Sequence, residues 1–247
     1  ADKILIPTEN HKYYSEKIIY LPDTYQANED VKKISDRNLT REMFGLPIDK
    51  FVFCSFNSNH KMNHKIFNLW IKILSKNSDS VLWIMKDNEI SSANLKDFAS
   101  KKGIDPKRLI FAEHMPLDEH LKRLQLADLF LDTFPYNAHT TCSDALRVDL
   151  PVLTLKGKGF ASRVAASLLN SINVTELITE SEEDYENLAL KISKNHQLLE
   201  NIKNKIKQNK LNSNLFNSKV YTKNIEKAYL IAYQNFINNE IPKNIEL

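Results

Sequence analysis

The residues best suited to chemistry cluster between Ala127 and Asp144, in ADLFLDTFPYNAHTTCSD. An apolar strand, Leu129-Phe130-Leu131, breaks at Pro135 and Asn137 and is followed by His139-Thr140-Thr141 and the carboxylate of Asp144, placed where a helix should start. Hydroxyls and backbone N–H groups at a helix start form an anion site, because first-turn donors lack partners inside the helix and the dipole favours negative charge. In an open α/β sheet, ligands bind beyond the carboxyl ends of the strands. The segment therefore reads as a phosphate-holding loop, with Asp144 available to a sugar hydroxyl. It also reads as an ordinary Thr-capped helix with Asp in its first turn. Taken alone, it favours the plainer description.

Other candidates flank this segment. Lys61 follows an apolar run and could reach a phosphate as a compact point charge; in a Lys-rich chain it could equally be a surface lysine. His120 and Arg123, three apart, share one face of a helix that follows Pro116. The ring could stack on a base and the guanidinium could donate to a carbonyl or phosphate; the alternative is a solvent-exposed polar face. His60, His64, His114, His120 and His139 match no zinc spacing and no cysteine pair accompanies them, so no metal site is expected. No GxSxG elbow supports a hydrolase triad.

These residues need a scaffold, and the apolar pattern supplies one. Phe51–Phe56, Val81–Met85, Leu109–Phe111, Leu129–Leu131 and Val152–Leu155 are compact apolar runs, as buried parallel strands should be. Between them lie helical patterns: Ile66 to Leu74, Leu95 and Phe98 closed by Gly103, Leu117 to Leu126, and Thr140 to about Val148. Strands alternating with helices predict an α/β fold, a Rossmann-like doubly wound parallel sheet. Phe160–Leu169 continues the pattern with a helix whose alanines suit tight helix–sheet packing, and Glu182–Ile192 adds another helix. Residues 1–45 are expected to be an irregular lead-in, with 29–41 an exposed connection; 46–195 form the Rossmann-like domain; 196–247 form one or two helices packed back on it.

Composition narrows the function. The chain has 247 residues, a formal net charge of +3 and only two cysteines, Cys54 and Cys142. That near-neutral balance argues against a nucleic-acid protein, and the cysteines suggest neither a disulfide framework nor a zinc cluster. No apolar run approaches a membrane span and no signal peptide is visible. With four glycines, at 45, 103, 157 and 159, neither a GxGxxG fingerprint nor a Walker loop exists. Any phosphate must be held by side chains and helix ends. The absence of an initiator Met suggests a truncated chain.

The ordered motifs resemble the O-linked N-acetylglucosamine (O-GlcNAc) transferase family, in its bacterial branch. They are YYSEKIIYLPDTYQ at Tyr13–Gln26, FVFCSFNSNHKM at Phe51–Met62, SVLWIM at Ser80–Met85, RLIF at Arg108–Phe111, EHLKRLQLADLFLDTFPYNAHTTCSDAL at Glu119–Leu146 and PVLTLKGKGFASRVAASLL at Pro151–Leu169. The resemblance implies the carboxyl-terminal, nucleotide-sugar-binding half of a GT-B glycosyltransferase. It implies a UDP-sugar co-substrate, UDP-GlcNAc by family, with no cofactor or metal, and a protein acceptor whose serine or threonine receives the sugar. It implies a cytoplasmic protein with neither membrane nor nucleic-acid partner. Carried over by position, Lys61 contacts the diphosphate and stabilises the leaving charge, making it the one catalytic residue of this half. His139, Thr140 and Thr141 surround the phosphates, Asp144 holds the ribose, His120 lies against the uracil with Arg123 beside it, and Met115 offers backbone groups to the base. Three positions depart from the family: Ser58 stands where glutamine is usual near the base site, Leu117 where lysine is usual, and Cys142 where glycine is usual. The family's amino-terminal half and its acceptor-binding helical repeats are absent, which implies nucleotide binding without sugar transfer by this piece alone. A non-catalytic nucleotide-binding or assembly module, or a GT-B enzyme with a non-protein acceptor, stand as the alternatives.

Overall fold

The computed structural model describes residues 1–247. Its eight strands are β1 (Ile19–Tyr20), β2 (Phe51–Ser55), β3 (Ser80–Met85), β4 (Leu109–Ala112), β5 (Leu129–Leu131), β6 (Val152–Leu155), β7 (Ile178–Thr179) and β8 (Ile245–Glu246). Its eight α-helices are α1 (His64–Lys76), α2 (Glu89–Lys101), α3 (Leu117–Leu124), α4 (Thr140–Arg147), α5 (Val164–Ser171), α6 (Glu182–Ser193), α7 (His196–Asn212) and α8 (Ser218–Ile237). Strands β2 to β7 form one parallel sheet in the order β4-β3-β2-β5-β6-β7. Numbered within that sheet alone, the order is 3-2-1-4-5-6, the Rossmann arrangement, whose ligand crevice opens where the order reverses. Here that point lies between β2 and β5.

Local chemistry explains the elements. Strands β2, β3, β5 and β6 are almost wholly buried because helices cover both faces of the sheet. Asn63 caps α1, its side-chain oxygen accepting from the Ile66 amide at 3.0 Å. Asn88 and Ser91 make a reciprocal capping box at the start of α2. That helix stops before Gly103, whose φ of +78° is left-handed. Gly157, on the turn leaving β6, is required for space, since a Cβ there would lie 2.4 Å from Ser162 Oγ and 2.8 Å from the Phe134 ring. The alanines expected to pack do so: Ala165 and Ala166 on α5 are fully buried.

Two expectations need correction. Residues 1–45 are irregular, but they are not loose. Leu5, Ile6, Ile18 and Tyr20 belong to the same core cluster as the sheet, and β1 pairs in parallel with β8, tying the start of the chain to its end. Within the stretch expected to be exposed, Ser35 and Leu39 are buried. The carboxyl-terminal helices also differ from each other. Helix α7 buries Leu199, Ile202 and Ile206, as a packed helix should. Helix α8 packs on a narrow stripe, with Ala228 buried and Tyr221, Ile225 and Ile231 half-buried, while Tyr229, Leu230, Tyr233 and Phe236 stand exposed. The helical spacing of its apolar residues is present, but no surface of these residues covers that face. No helix is long and apolar enough to cross a membrane.

Candidate functional site

The crevice between β2 and β5 brings the sequence candidates together. Strand β2 runs into Phe56-Asn57-Ser58 and a single helical turn, Asn59–Lys61. Strand β5 runs into Asp132 and a loop containing a cis Phe134–Pro135 peptide, which delivers His139 to the start of α4. The loops are bonded to one another. Lys61 Nζ donates to the Asn137 carbonyl at 2.9 Å and lies 4.1 Å from the Tyr136 ring centroid. Asn63 Nδ2 donates to the Phe134 carbonyl at 2.8 Å. The lysine and the two threonines thus sit on facing loops of one crevice.

Beneath the crevice lies a residue that the sequence patterns did not single out, Asp132. It is fully buried, and four neutral groups donate to it: the Thr133 amide (2.8 Å), the Ala138 amide (2.6 Å), Asn57 Nδ2 (3.2 Å) and Thr154 Oγ1 (2.7 Å). Burial pushes its carboxyl up to about 6, against the pull of these donors. Because Asn57 donates to Asp132 and to Thr133 Oγ1, its carbonyl oxygen must face the other way, where it accepts from Thr141 Oγ1 at 2.5 Å. Asp132 directly follows β5, and Asn57 follows the apolar run Phe51–Phe56 that contains β2. A polar residue closing such a strand was the available signal.

The start of α4 differs from both descriptions the sequence allowed. Its N-cap position is His139, which makes no side-chain capping bond, and Asp144 lies beyond the first turn. The Thr141 hydroxyl is spent on Asn57, so it is not a free donor to an anion. The amides of His139, Thr140 and Thr141 have no partner within the chain. They are the unpaired donors that make a helix start attractive to an anion. His139 Nε2 and Asn137 Oδ1 are buried without partners beside them. Burial lowers the His139 pKa, with Lys61 adding to the effect, so the ring is neutral at physiological pH. Burial also lowers Lys61, opposed by the charge of Asp132. Lys61 forms no ion pair, so its charge is uncommitted.

The flank formed by β4 and α3 carries the remaining candidates. His120 is half-buried, edge-on to Phe56 at 5.3 Å. Arg123 is 1% exposed, which overturns the exposed polar face. Its donors turn inward: Nε bonds His120 Nδ1 at 3.0 Å, Nη1 bonds the Glu113 carbonyl and Nη2 approaches Met85 Sδ at 3.9 Å, while the guanidinium lies 5.0 Å from the Phe56 ring centroid. Arg123 therefore orients His120 rather than reaching out as a donor. With Nδ1 accepting, the neutral ring carries its proton on Nε2. Burial, then the charge of Arg123, lowers His120 to about 4. The Met115 N–H and C=O have no partner within the chain, as a contact to a base edge would require. Ser58 is exposed, its carbonyl accepting from the Lys61 amide at 3.0 Å. Leu117 is half exposed at the start of α3. Cys142 is fully buried in the core, so its side chain does not enter the crevice between β2 and β5. Asp144 is buried and paired with Lys32, a partner the sequence patterns did not reveal because it lies 112 residues earlier.

The chain is 31% identical over 253 residues to a probable UDP-N-acetylglucosamine–peptide N-acetylglucosaminyltransferase, SEC, of Arabidopsis thaliana, an alignment covering all of this chain and 26% of that protein. It is 33% identical over 187 residues to the UDP-N-acetylglucosamine–peptide N-acetylglucosaminyltransferase of Caenorhabditis elegans, covering 76% of this chain and 16% of that one. The chain thus spans about a quarter or less of the length of these relatives. Among solved structures, a mutant of Thermobaculum terrenum O-GlcNAc transferase superposes with a TM-score of 0.81 at 24% identity, over 93% of this chain and 43% of that one. The lipopolysaccharide glycosyltransferase WaaG superposes with a TM-score of 0.56 at 17% identity, over 85% of this chain and 55% of that one. The shared fold is that of the GT-B glycosyltransferases. Residues 26–225 match glycosyl transferase family 41, and the chain belongs to that family.

Proposed function

We propose that this chain is the donor-binding half of a protein O-glycosyltransferase, one that takes a sugar from a UDP-sugar, UDP-GlcNAc in the first instance, and transfers it to serine or threonine of a protein. The observation that carries this reading is the convergence of an ammonium without a counter-ion, Lys61, and three unpaired amides, His139 to Thr141, on one crevice at the switch point of the sheet. Transfer of a glycosyl group leaves a nucleoside diphosphate on which negative charge grows. Preorganised cations and N–H groups at that position lower the barrier, by a few kcal/mol for a single donor in comparable sites. Lys61 is the residue suited to that role. His120, held neutral by burial and oriented by Arg123, presents an aromatic face to the base, and Met115 offers its backbone to the base edge. Asp144 holds the ribose. No metal or cofactor enters this scheme; the UDP-sugar is a co-substrate. On this reading the acceptor side of the cleft belongs to a second half, so sugar transfer by the 247 residues alone is not expected.

Calorimetric titration with uridine diphosphate, with adenosine and guanosine diphosphates as controls, tests this reading. Saturable binding of the uridine nucleotide, weakened by Lys61→Ala, is expected. No binding at millimolar uridine diphosphate by the folded chain overturns it.

A further inference from the structure

Asp144 is not free. Lys32 Nζ lies 2.7 Å from its Oδ1, and the two side chains are 15% and 8% exposed. Lys32 belongs to a strap that crosses α4 and ends on α3. Gln26 Nε2 approaches Ser143 Oγ at 3.4 Å, Arg147 donates to the carbonyls of Glu29 and Asp30, and the Ser35 amide donates to the Asp118 carbonyl at 3.1 Å. Arg37 then pairs with Glu119 at 2.6 Å. The strap thus carries Lys32 from the helix of Asp144 toward the helix of His120, the two residues assigned to ribose and base.

Two features make this pair more than a brace. Asp144 Oδ2 accepts no hydrogen bond from the protein, and the Lys32 ammonium uses one of its three donors. An acceptor and donors therefore remain side by side, the complement of a hydroxyl group. A lone buried carboxylate one turn behind the open amides of α4 would also oppose a diphosphate. The ammonium cancels that charge without occupying the amides.

We propose that Lys32 is a ribose-binding residue: it holds Asp144 so that Oδ2 accepts from one ribose hydroxyl, and it donates a second N–H to the ribose diol. This assignment rests on the donor-site reading above. It places one specificity element on the strap, in a segment whose sequence shows only a charged, polar connection.

The test is a double cycle of residue and ligand on the intact chain. Lys32→Met is titrated with uridine diphosphate and with its 2′,3′-dideoxy analogue, beside wild type, Lys61→Ala and the neighbouring charge control Lys33→Met. Lys32→Met is expected to weaken uridine diphosphate about tenfold, or about 1.4 kcal/mol. It should weaken the dideoxy analogue measurably less, leaving only the effect of the uncancelled Asp144 charge, because the diol contact is already missing from that ligand. Lys61→Ala should weaken both nucleotides, and Lys33→Met neither. Lys32→Arg, which preserves the ion pair, should keep the discrimination and guards against loss of fold in the methionine variant. Equal weakening of both nucleotides by Lys32→Met, or of neither, while Lys61→Ala still weakens both, overturns the assignment and leaves the donor site standing. Absence of binding by wild type overturns the donor site, and this assignment with it.

Discussion

Two aspartates stand at opposite ends of the same three-residue strand, and they are treated differently. Asp128, at the amino end of β5, accepts from the Val52 amide at 2.8 Å and pairs with Arg41 at 2.8 Å, with Lys203 at 4.0 Å. Asp132, at the carboxyl end, is fully buried, and its only hydrogen-bond partners are neutral donors. At the amino edge charge is answered by charge. At the carboxyl edge the carboxylate is satisfied without a cation, and the cation nearby, Lys61, rests on a carbonyl and an aromatic face. An ion pair at Asp132 would consume the charge a diphosphate needs. Holding the carboxylate with amides and hydroxyls fixes two loops and leaves the ammonium available. The amino end closes its charges on one another, and the carboxyl end leaves a cation open, as the proposed donor site needs.

The difference also has a pH signature. Burial raises the Asp132 carboxyl to about 6, so the folded chain keeps a proton there that the unfolded chain has released above the ordinary carboxylate range. The unfolded state then binds fewer protons, and this group's contribution to stability falls as pH rises through that window.

The comparison can be broken in several places. Asp132→Ala strands four buried donors and should destabilise the chain by about 3 kcal/mol or more, read by urea unfolding, and should abolish nucleotide binding. Retention of the wild-type midpoint would show that the network does not organise the crevice. Lys61→Ala should cost about 2–3 kcal/mol in affinity for uridine diphosphate, by calorimetry, with the thermal midpoint nearly unchanged. A large loss of stability with intact binding would make Lys61 a brace. Asp128→Ala should do the reverse, removing about 1–2 kcal/mol of stability while leaving affinity alone. Thr141→Val should cost about 1 kcal/mol of stability, since its hydroxyl serves Asn57, and should leave the amide available to a phosphate. The mildest test concerns the base flank. His120, lowered to about 4, takes up a proton less readily folded than unfolded. Stability should therefore fall with acidification from about 6.5 toward 4, at most by about 1.4 kcal/mol per pH unit from this group. His120→Phe should flatten that slope, and proton NMR of the ring should show no titration near neutrality.

The periodicity of the chain announced most of this scaffold. The apolar run at Phe51–Phe56, the helical spacing from Ile66 to Leu74 and the breaker at Gly103 follow from local patterns, and the elements formed as those patterns require. The loops carrying Lys61 and His139–Thr141 were legible because each follows a buried strand, and ordered motifs added the base flank. The hidden part was pairing. Arg123 looks like a free donor in sequence, and only the fold reveals that its donors bond His120 and Glu113. Asp144 looks like an open carboxylate, and its partner is supplied by a segment that reads as linker. Helix α8 carries a packed helix's spacing, yet Tyr229, Leu230, Tyr233 and Phe236 face outward.

Hydrophobic alternation, helix caps and strand-ending polar residues are properties of neighbours along the chain, so the sequence by itself determined the α/β class, the strand and helix positions and the loops that meet at the crevice. Which of the charged side chains remain uncommitted depends on partners brought together across long separations, as in Lys32 with Asp144, 112 residues apart, and Asn57 with Asp132, 75 apart. Electrostatic and hydrogen-bond partnership falls steeply with distance in space and carries no periodic trace in sequence. The tertiary structure alone decided that Lys61 stays half-buried at the crevice while Arg123, 1% exposed, turns its donors inward to His120 and Glu113.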